Sequence, residues 1–285
     1  MMLASFRLRY DDVTSSALPV KPALLERLSG SPLVLLLDLD GTLSPIASRP
    51  QSAIVPPETR RVLERLVKLP GVHLVLLSGR SAVDASRIVS IDGAWTVGNH
   101  GLEIAPPGMP AAPRDDVAPF ADRITAAAER IGEATARFDG VTVEDKRWTL
   151  SVHYRLAERR EVGELQAKVA AVARSAGLRV TLGKEVIELR PPVSADKGTA
   201  SLEFADRLGA LQSGASLLCA GDDRTDEDAF VALRGLRPGF VTVRVRERAH
   251  DDSPRTAAEF EVSDPDEFRR LLELVAERRE RAAVS

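Results

Sequence analysis

Asp38 and Asp40 end the stretch LVLLLDLDGT with a single leucine between them. Leu33 to Leu37 is a continuous apolar run, the mark of a strand buried on both faces, and such a strand has no structural use for two carboxylates at its end. Two more apolar runs end in polar groups: LVLLSGR delivers Ser78, Gly79 and Arg80, and LLCAGDDRTD delivers Asp222, Asp223 and Asp226. If these strands share one parallel sheet, their carboxyl ends open on a common crevice, where open sheets hold ligands. Carboxylates gathered there repel one another, and a divalent cation removes the conflict. Oxygen donors without His or Cys select a hard ion such as Mg2+. A phosphate dianion would complete the site. Gly41 and Thr42 form the turn after the first strand, where backbone N–H groups can face anionic oxygens, and Ser78 adds a hydroxyl. Lys197 offers a point charge to a phosphoryl group in transfer. Of two carboxylates with different tasks, one can attack phosphorus and form an acyl phosphate. The other can protonate the leaving oxygen and then activate water.

The elements that must position these groups follow from periodicity. After the first strand, PPETRRVLERLVKLPG places Val62, Leu63, Leu66 and Val67 on one helical stripe and stops at Pro70-Gly71. VHLVLLSGR is a second buried strand, SAVDASRIV opens a helix with Ser81 and Asp84 at capping spacing, and AWTVGNHG is a third strand. Alternating strands and helices predict a parallel sheet with helices on its faces. The pattern then changes. A helix carries Phe120, Ile124, Ala127, Ile131, Ala134 and Phe138. In VEDKRWTLSVHYR, Trp148, Leu150, Val152 and Tyr154 alternate with Thr149, Ser151, His153 and Arg155, predicting a hairpin that bends at Glu144 to Arg147. A second amphipathic helix (Val162, Leu165, Val169, Val172) and the strands RVTL and EVIELR complete this block, which ends at Pro191-Pro192. The first pattern returns in SADKGTASLEFADRLG, SLLCAGDDRTDEDAF and FVTVRV, and the chain ends in a helix capped by Asp264, with Pro265 and Glu267 in its first turn. The expected architecture is α/β: a Rossmann-like core of residues 31–106 and 191–285, an inserted α+β cap of residues 107–190, and an N-terminal arm of residues 1–30.

Composition excludes several classes. With 39 basic and 42 acidic residues the net charge is −3, which gives no electrostatic footprint for nucleic acid or a membrane surface. One cysteine and four scattered histidines argue against disulfides and a His/Cys metal cage. No apolar run reaches the roughly 18 residues of a membrane span, and the first residues, MMLASFRLRYDDVTSS, carry charges where a signal peptide is apolar. A cytoplasmic protein acting on a small molecule is the expectation; composition says nothing of oligomeric state.

Taken singly, each motif has a plainer explanation: D-x-D-G-T as a turn, Lys197 as a solvated helix residue, the acids after Asp223 as helix N-terminal charge. Cys219, inside an apolar strand, reads as core packing, and His73 and His250 as structural or surface residues. Four motifs in fixed order are harder to dismiss. DLDGT, SGR, ADKG and GDDRTDEDAF resemble the motif set of the haloacid dehalogenase superfamily. With NHGLE, VEDKRWTLSVHYR and GKEVIELRP they resemble trehalose-6-phosphate phosphatases over roughly residues 33–250.

That resemblance implies Mg2+-dependent hydrolysis of trehalose 6-phosphate to trehalose and phosphate, the closing step of trehalose synthesis, through an aspartyl phosphate. Asp38 would be the nucleophile, and Asp40 the general acid/base that also ligates the metal through its backbone carbonyl. Lys197 would be the third catalytic group. Asp38, Asp40, Asp222 and Asp223 would form the metal site, with Asp226 in support. Gly41, Thr42, Ser78, Gly79, Arg80, Asn99 and His100 would line the phosphate side. Glu144, Lys184 and Glu188 would read the sugar from the cap, followed by Arg147, His153, Arg155 and Arg190. Another sugar phosphatase, a phosphohexomutase, or a non-catalytic sugar-phosphate sensor are the alternatives. Intact Asp38, Asp40, Lys197 and Asp222 oppose the last, because a sensor needs no nucleophile.

Overall fold

A computed structural model of the chain describes residues 22–47, 50–183, 185–246 and 256–284; most of the arm, Lys184 and His250 lie outside the described residues. In chain order the helices and strands are α1 (Pro22–Arg27), β1 (Leu33–Leu37), α2 (Pro57–Val67), β2 (Val72–Leu77), α3 (Ala82–Val89), β3 (Trp95–Gly98), β4 (Glu103–Ala105) and β5 (Ala112–Pro113). Next come α4 (Ala121–Thr135), β6 (Thr142–Asp145), β7 (Leu150–His153), α5 (Val162–Ala176), β8 (Arg179–Gly183) and β9 (Val186–Arg190). Last are α6 (Lys197–Arg207), β10 (Ser216–Gly221), α7 (Arg224–Leu233), β11 (Phe240–Val245), β12 (Phe260–Val262) and α8 (Pro265–Val284).

The large sheet has the order β12-β11-β10-β1-β2-β3-β4-β5. It is parallel from β12 to β3, as the apolar runs predict, and antiparallel at β4 and β5. β1 lies at its centre, buried on both faces. Leu33, Leu35 and Leu37 pack on one side with residues of α1, α2, α3 and α8, while Val34 and Leu36 pack on the other against α6 and α7. Strand order reverses beside β1: the chain runs from β1 through β2 to β3 on one flank and resumes at β10 on the other. The crevice at such a switch point is where an open sheet binds ligands, and it is bounded here by the two strands that carry the aspartates.

Two boundaries differ from expectation. The chain stays with the large sheet until β5, beyond the division at residue 106, because β4 and β5 return antiparallel to β3. Strands of three and two residues carry no readable period. Residues 22–30, placed above in the arm, belong to the core: Leu24 and Leu28 are buried in it, and Arg27 hydrogen-bonds Glu259 and the Pro238 carbonyl.

The inserted block forms its own four-stranded antiparallel sheet, in the order β6-β7-β9-β8. Its Leu150, Val152, Ile187 and Leu189 side chains bury against Ile124, Ile131, Leu165 and Val169 of α4 and α5. The opposite face is left to polar groups, and the register puts Glu144, Ser151, Glu188 and Thr181 in one row across all four strands. Glu144 thus sits on β6 rather than in the bend, which falls at residues 146–149.

Leu36 is fully buried on the central strand. Leu36→Ala is expected to cost about 2–5 kcal/mol through lost burial and the cavity left behind. It should lower the urea midpoint of the core transition while leaving the slope unchanged.

Candidate active site

The turn after β1 is shaped by contact with β10. Gly41 has φ +85°, and a Cβ there would lie 2.2 Å from Asp222 Oδ2, so only glycine fits. Its N–H donates to the Ser44 carbonyl at 2.7 Å and is spent within the turn rather than facing a ligand. Thr42 is buried, with Oγ1 3.5 Å from Asp222 Oδ1. Helix α6 begins beside this turn. Asp196 caps it by accepting from the Thr199 N–H at 2.7 Å, and Lys197 takes the first helical position. That position opposes the helix dipole, and the side chain turns inward: its ammonium, only 3% exposed, donates to Asp38 Oδ1 at 2.6 Å and to Asp226 Oδ1 at 2.8 Å.

At the end of β10, Asp223 caps α7, accepting from the Thr225 N–H at 2.7 Å and the Asp226 N–H at 3.2 Å. Asp226 Oδ2 in turn accepts from the N–H groups of Asp222 and Asp223 at 3.1 and 3.2 Å. Gly221 permits this packing, since a Cβ there would fall 2.0 Å from Asp226 Cγ.

Carboxylate oxygens of Asp38, Asp222 and Asp226 lie within 4.8 Å of one another. Asp226 is fully committed, to Lys197 through one oxygen and to two backbone N–H groups through the other. Asp38 and Asp222 are therefore the pair that can take a cation, with Asp223 adjoining. The electrostatics agree. Burial pushes the Asp38 carboxyl well up, Lys197 opposes this, and Asp222 and Asp223 add to it. Burial and the neighbouring Asp226 and Asp223 push Asp222 up to about 8. Asp226 is raised as well, chiefly by burial. Burial alone would lower Lys197, but Asp226 and Asp38 more than reverse it and keep the ammonium charged. Asp223 reaches solvent at the rim of the cluster; against the upward pull of its partial desolvation, Lys197 and the hydrogen bonds at the cap hold it below the usual carboxylate range. One ammonium among these carboxylates leaves the cluster short of positive charge, and hard oxygen donors fit a divalent ion of the Mg2+ kind.

Asp40 is gripped by Arg80 in a two-pronged pair, Nε to Oδ2 at 2.6 Å and Nη2 to Oδ1 at 2.7 Å. The loop that brings Arg80 here is stitched to the turn after β3: Asn99 N–H donates to the Arg80 carbonyl at 2.7 Å and His100 N–H to the Ser78 carbonyl at 3.0 Å. Ser78 Oγ accepts the Arg80 N–H at 3.1 Å. Asn99, His100 and Gly101 are consecutive left-handed residues, with φ of 50°, 56° and 102°. For non-glycine residues that backbone costs of order 1–3 kcal/mol each, and such strain collects at functional sites. It lays the His100 ring on Gly79, where a Cβ would come within 2.6 Å of the imidazole. His100 Nδ1 is sealed from solvent without a partner.

Asn99 departs from its expected place against a ligand. It is wholly buried, and its amide bonds Glu103, the Lys146 carbonyl and Thr149, so it faces the junction with the cap. On the cap, Glu144 Oε2 lies 3.1 Å from His153 Nε2 and 3.9 Å from Lys146 Nζ. The His153 hydrogen bond, against the pull of burial, lowers the Glu144 carboxyl, with Lys146 and the core's Arg80 contributing. Glu144 is therefore within electrostatic reach of the Asp40–Arg80 pair. Glu188 lies in the same row, whereas Arg155 is drawn aside to Glu185 at 3.0 Å. Arg190 is buried and donates to the Ala195 carbonyl at 3.3 Å. Lys146 and Glu103 were missed as individual residues, although both stand inside the motifs VEDKRW and NHGLE; only their long-range partners mark them out.

The trehalose-phosphatase family model matches residues 36–266. The trehalose-phosphate phosphatase of Mycobacterium avium (strain 104) is 39% identical over 256 residues, covering 89% of this chain and 64% of its own length. An uncharacterized glycosyl hydrolase of Mycobacterium tuberculosis (strain ATCC 25618 / H37Rv) is 37% identical over 252 residues, 87% of this chain and 18% of that protein. The chain thus spans less than two thirds of the length of these relatives. Among solved structures, the C-terminal domain of Candida albicans trehalose-6-phosphate phosphatase superposes with a TM-score of 0.73 at 25% identity, covering 92% of this chain and 99% of that one.

Burial, with the nearby positive charges of Lys197 and Arg190, pushes the His100 imidazole down to about 3 from its usual 6.5. Between those values the unfolded chain holds a proton that the native site refuses, so stability falls as pH drops from 6.5 toward 3. The slope for one such proton is at most about 1.4 kcal/mol per pH unit. His100→Asn, which tolerates the left-handed backbone, is expected to flatten this loss when urea midpoints are compared from pH 7 to pH 4.5.

Proposed function

The chain belongs to the trehalose-phosphatase family, and on that premise we propose that it hydrolyses trehalose 6-phosphate to trehalose and phosphate. The observation that carries the reading is Asp38: buried at the end of the central strand, fixed through one oxygen by Lys197, and within reach of Asp222 across the sheet's switch point.

The chemistry follows from those placements. With Oδ1 held by Lys197, Asp38 presents its other oxygen to phosphorus; an acyl phosphate bond forms as the bond from phosphorus to the sugar oxygen breaks. Asp40 protonates the departing oxygen, and so must leave the Arg80 fork, for which the phosphoryl oxygens compete. Water then attacks the phospho-enzyme, Asp40 takes its proton, and phosphate departs with Asp38 restored. Ser78 Oγ and the turn at Thr42 line the phosphate side. Asp38, Asp222 and the Asp40 carbonyl, with Asp223 behind them, would hold Mg2+, which would supply the positive charge that the crowded carboxylates and the phosphate require.

Sugar recognition falls to the open face of the cap sheet. Glu144 and Glu188 stand on it in one row, Lys146 stands beside Glu144, and Lys184 is assigned there from sequence alone. A disaccharide presents many hydroxyls and no charge, and long side chains with donors and acceptors suit it. Among the described residues no helix is long and apolar enough to cross a membrane. A cytoplasmic location rests on composition, above all on a single, buried cysteine.

The test is phosphate release from trehalose 6-phosphate against glucose, sucrose and mannose 6-phosphates, with Mg2+ and after EDTA. Trehalose 6-phosphate should lead, and EDTA should stop turnover until Mg2+ is restored. Full activity without metal would mean that the carboxylate cluster has another purpose. Asp38→Asn should cost more than about a thousandfold in kcat while circular dichroism is unchanged, because an amide cannot form the acyl phosphate.

A separate measurement addresses the cap. A lost hydrogen bond to a charged group is worth about 1.5–3 kcal/mol, or about ten- to a hundredfold. Glu188→Ala should lower kcat/KM for trehalose 6-phosphate by that factor relative to a small aryl phosphate. Equal losses on both substrates would remove Glu188 from sugar recognition.

A further inference from the structure

Glu103 has no part in the chemistry above, yet its surroundings are those of a built site. The carboxylate is 4% exposed and accepts three hydrogen bonds from three separate segments. Oε1 takes the Ala82 N–H, at the start of α3, and the Asn99 amide, both at 2.8 Å; Oε2 takes the indole N–H of Trp148, on the cap, at 3.1 Å. All three donors are neutral, so the charge is matched by N–H groups and by the N-terminal end of α3. Asn99 extends the network, donating to the Lys146 carbonyl at 3.3 Å and accepting from Thr149 Oγ1 at 3.2 Å. Residues 146–149 are the whole turn between β6 and β7. Within the cap the turn is held by the Arg147 N–H on Asp145 Oδ1 at 2.7 Å and the Lys146 N–H on the Thr149 carbonyl at 2.9 Å, while the bonds through Trp148, Thr149 and the Lys146 carbonyl tie it to the core.

Trp148 also sits where the two connections between core and cap pass. Its ring packs with Leu102 of the core, Val117 of the outgoing connection and Ala195 of the returning one, with Val193 beside them. The cap is therefore held by more than two covalent crossings: a buried polar network and a small apolar cluster pin one corner of its sheet. That corner leads directly into Glu144 on β6 and, across the ladder, into Ser151 and Glu188.

We propose that Glu103 is a positioning residue for substrate recognition, fixing the β6–β7 turn to the core so that the polar row of the cap stands at a set place over Asp38 and Asp40. This rests on the reading of the site as a sugar phosphatase and adds what sets its specificity. The acceptor-only chemistry of a carboxylate explains the residue type: three N–H donors converge on it, and an amide can serve two while setting its own NH2 against the third. Glu103→Gln therefore keeps the bonds to Ala82 and Asn99 and severs the link to the cap. Trp148→Phe severs the same link from the other side while keeping most of the ring in the apolar cluster.

The experiment compares the wild-type chain, both single variants and the double variant, with Mg2+ present, on trehalose 6-phosphate and on 4-nitrophenyl phosphate, which has no sugar to be read. Each single variant is expected to lower kcat/KM for the sugar ester about tenfold relative to the aryl ester, mainly through KM, as loss of one bond to a charged acceptor allows. The double variant should be no worse than the poorer single, because both remove one interaction. Equal losses on the two esters, additive losses in the double variant, or no loss would each overturn the proposal. If the wild-type enzyme prefers a different sugar phosphate, the substrate assignment fails, and the same comparison on the preferred ester decides the role of Glu103. A wild-type enzyme that favours no sugar ester over the aryl ester would overturn both.

Discussion

The Lys197 ammonium is the interaction on which the active site depends. It joins the start of α6 to the end of β1 and the first turn of α7, three segments far apart in sequence. A buried charge with no partner is expensive, and breaking such a pair by removing one member typically costs about 3–5 kcal/mol. Lys197 is thus confined to one position by the carboxylates around it, and they by it. Close packing follows: Gly198 lies so near α7 that a Cβ would come 2.7 Å from the Asp228 carbonyl. Gly221 and Gly41 carry the same constraint at the two strand ends. Substituting any of these glycines would press backbone or carboxylate out of a cluster whose geometry is its function.

The cap obeys different physics. Its apolar core is separate from that of the large sheet, and its strands are antiparallel, so one face can be given wholly to polar side chains. A parallel sheet buried on both faces has no such surface to offer and can present polar groups only at its strand ends. In the proposed reading, phosphate chemistry and sugar recognition would sit on two kinds of sheet, which meet at the corner where Trp148 bonds Glu103.

How much of this was legible in the sequence depends on the range of the interaction. β1, β2 and β10 were plain because continuous apolar runs stop abruptly at polar groups, and the cap hairpin because Leu150 and Val152 alternate with Ser151 and His153. The edge strands β4 and β5 were not, being too short to have a period. Asp226 was legible as one of the crevice carboxylates, but its bond to Lys197, which spans 29 residues, was not. Glu103 was quoted within NHGLE, but its partner Trp148 stands 45 residues away, and no local pattern marks either as half of a pair. The Asn99 amide was hidden for the same reason: beside the crevice in sequence, it bonds Glu103, the Lys146 carbonyl and Thr149 at the junction.

Charge balance ties the core's two ligands together. Asp38, Asp222, Asp223 and Asp226 surround one ammonium, and Arg80 is already paired with Asp40. A phosphate dianion entering such a crevice meets an excess of its own sign, at distances where each close like-charge pair costs of order kcal/mol even in a partly solvated site. A divalent cation held by Asp38 and Asp222 would reverse that sign at the mouth of the crevice. Each ligand then lowers the free energy of binding the other, and by linkage the coupling is equal in both directions. The crowding that looks like a flaw in a bare fold would, on this reading, make the site selective for an anion that arrives with a metal.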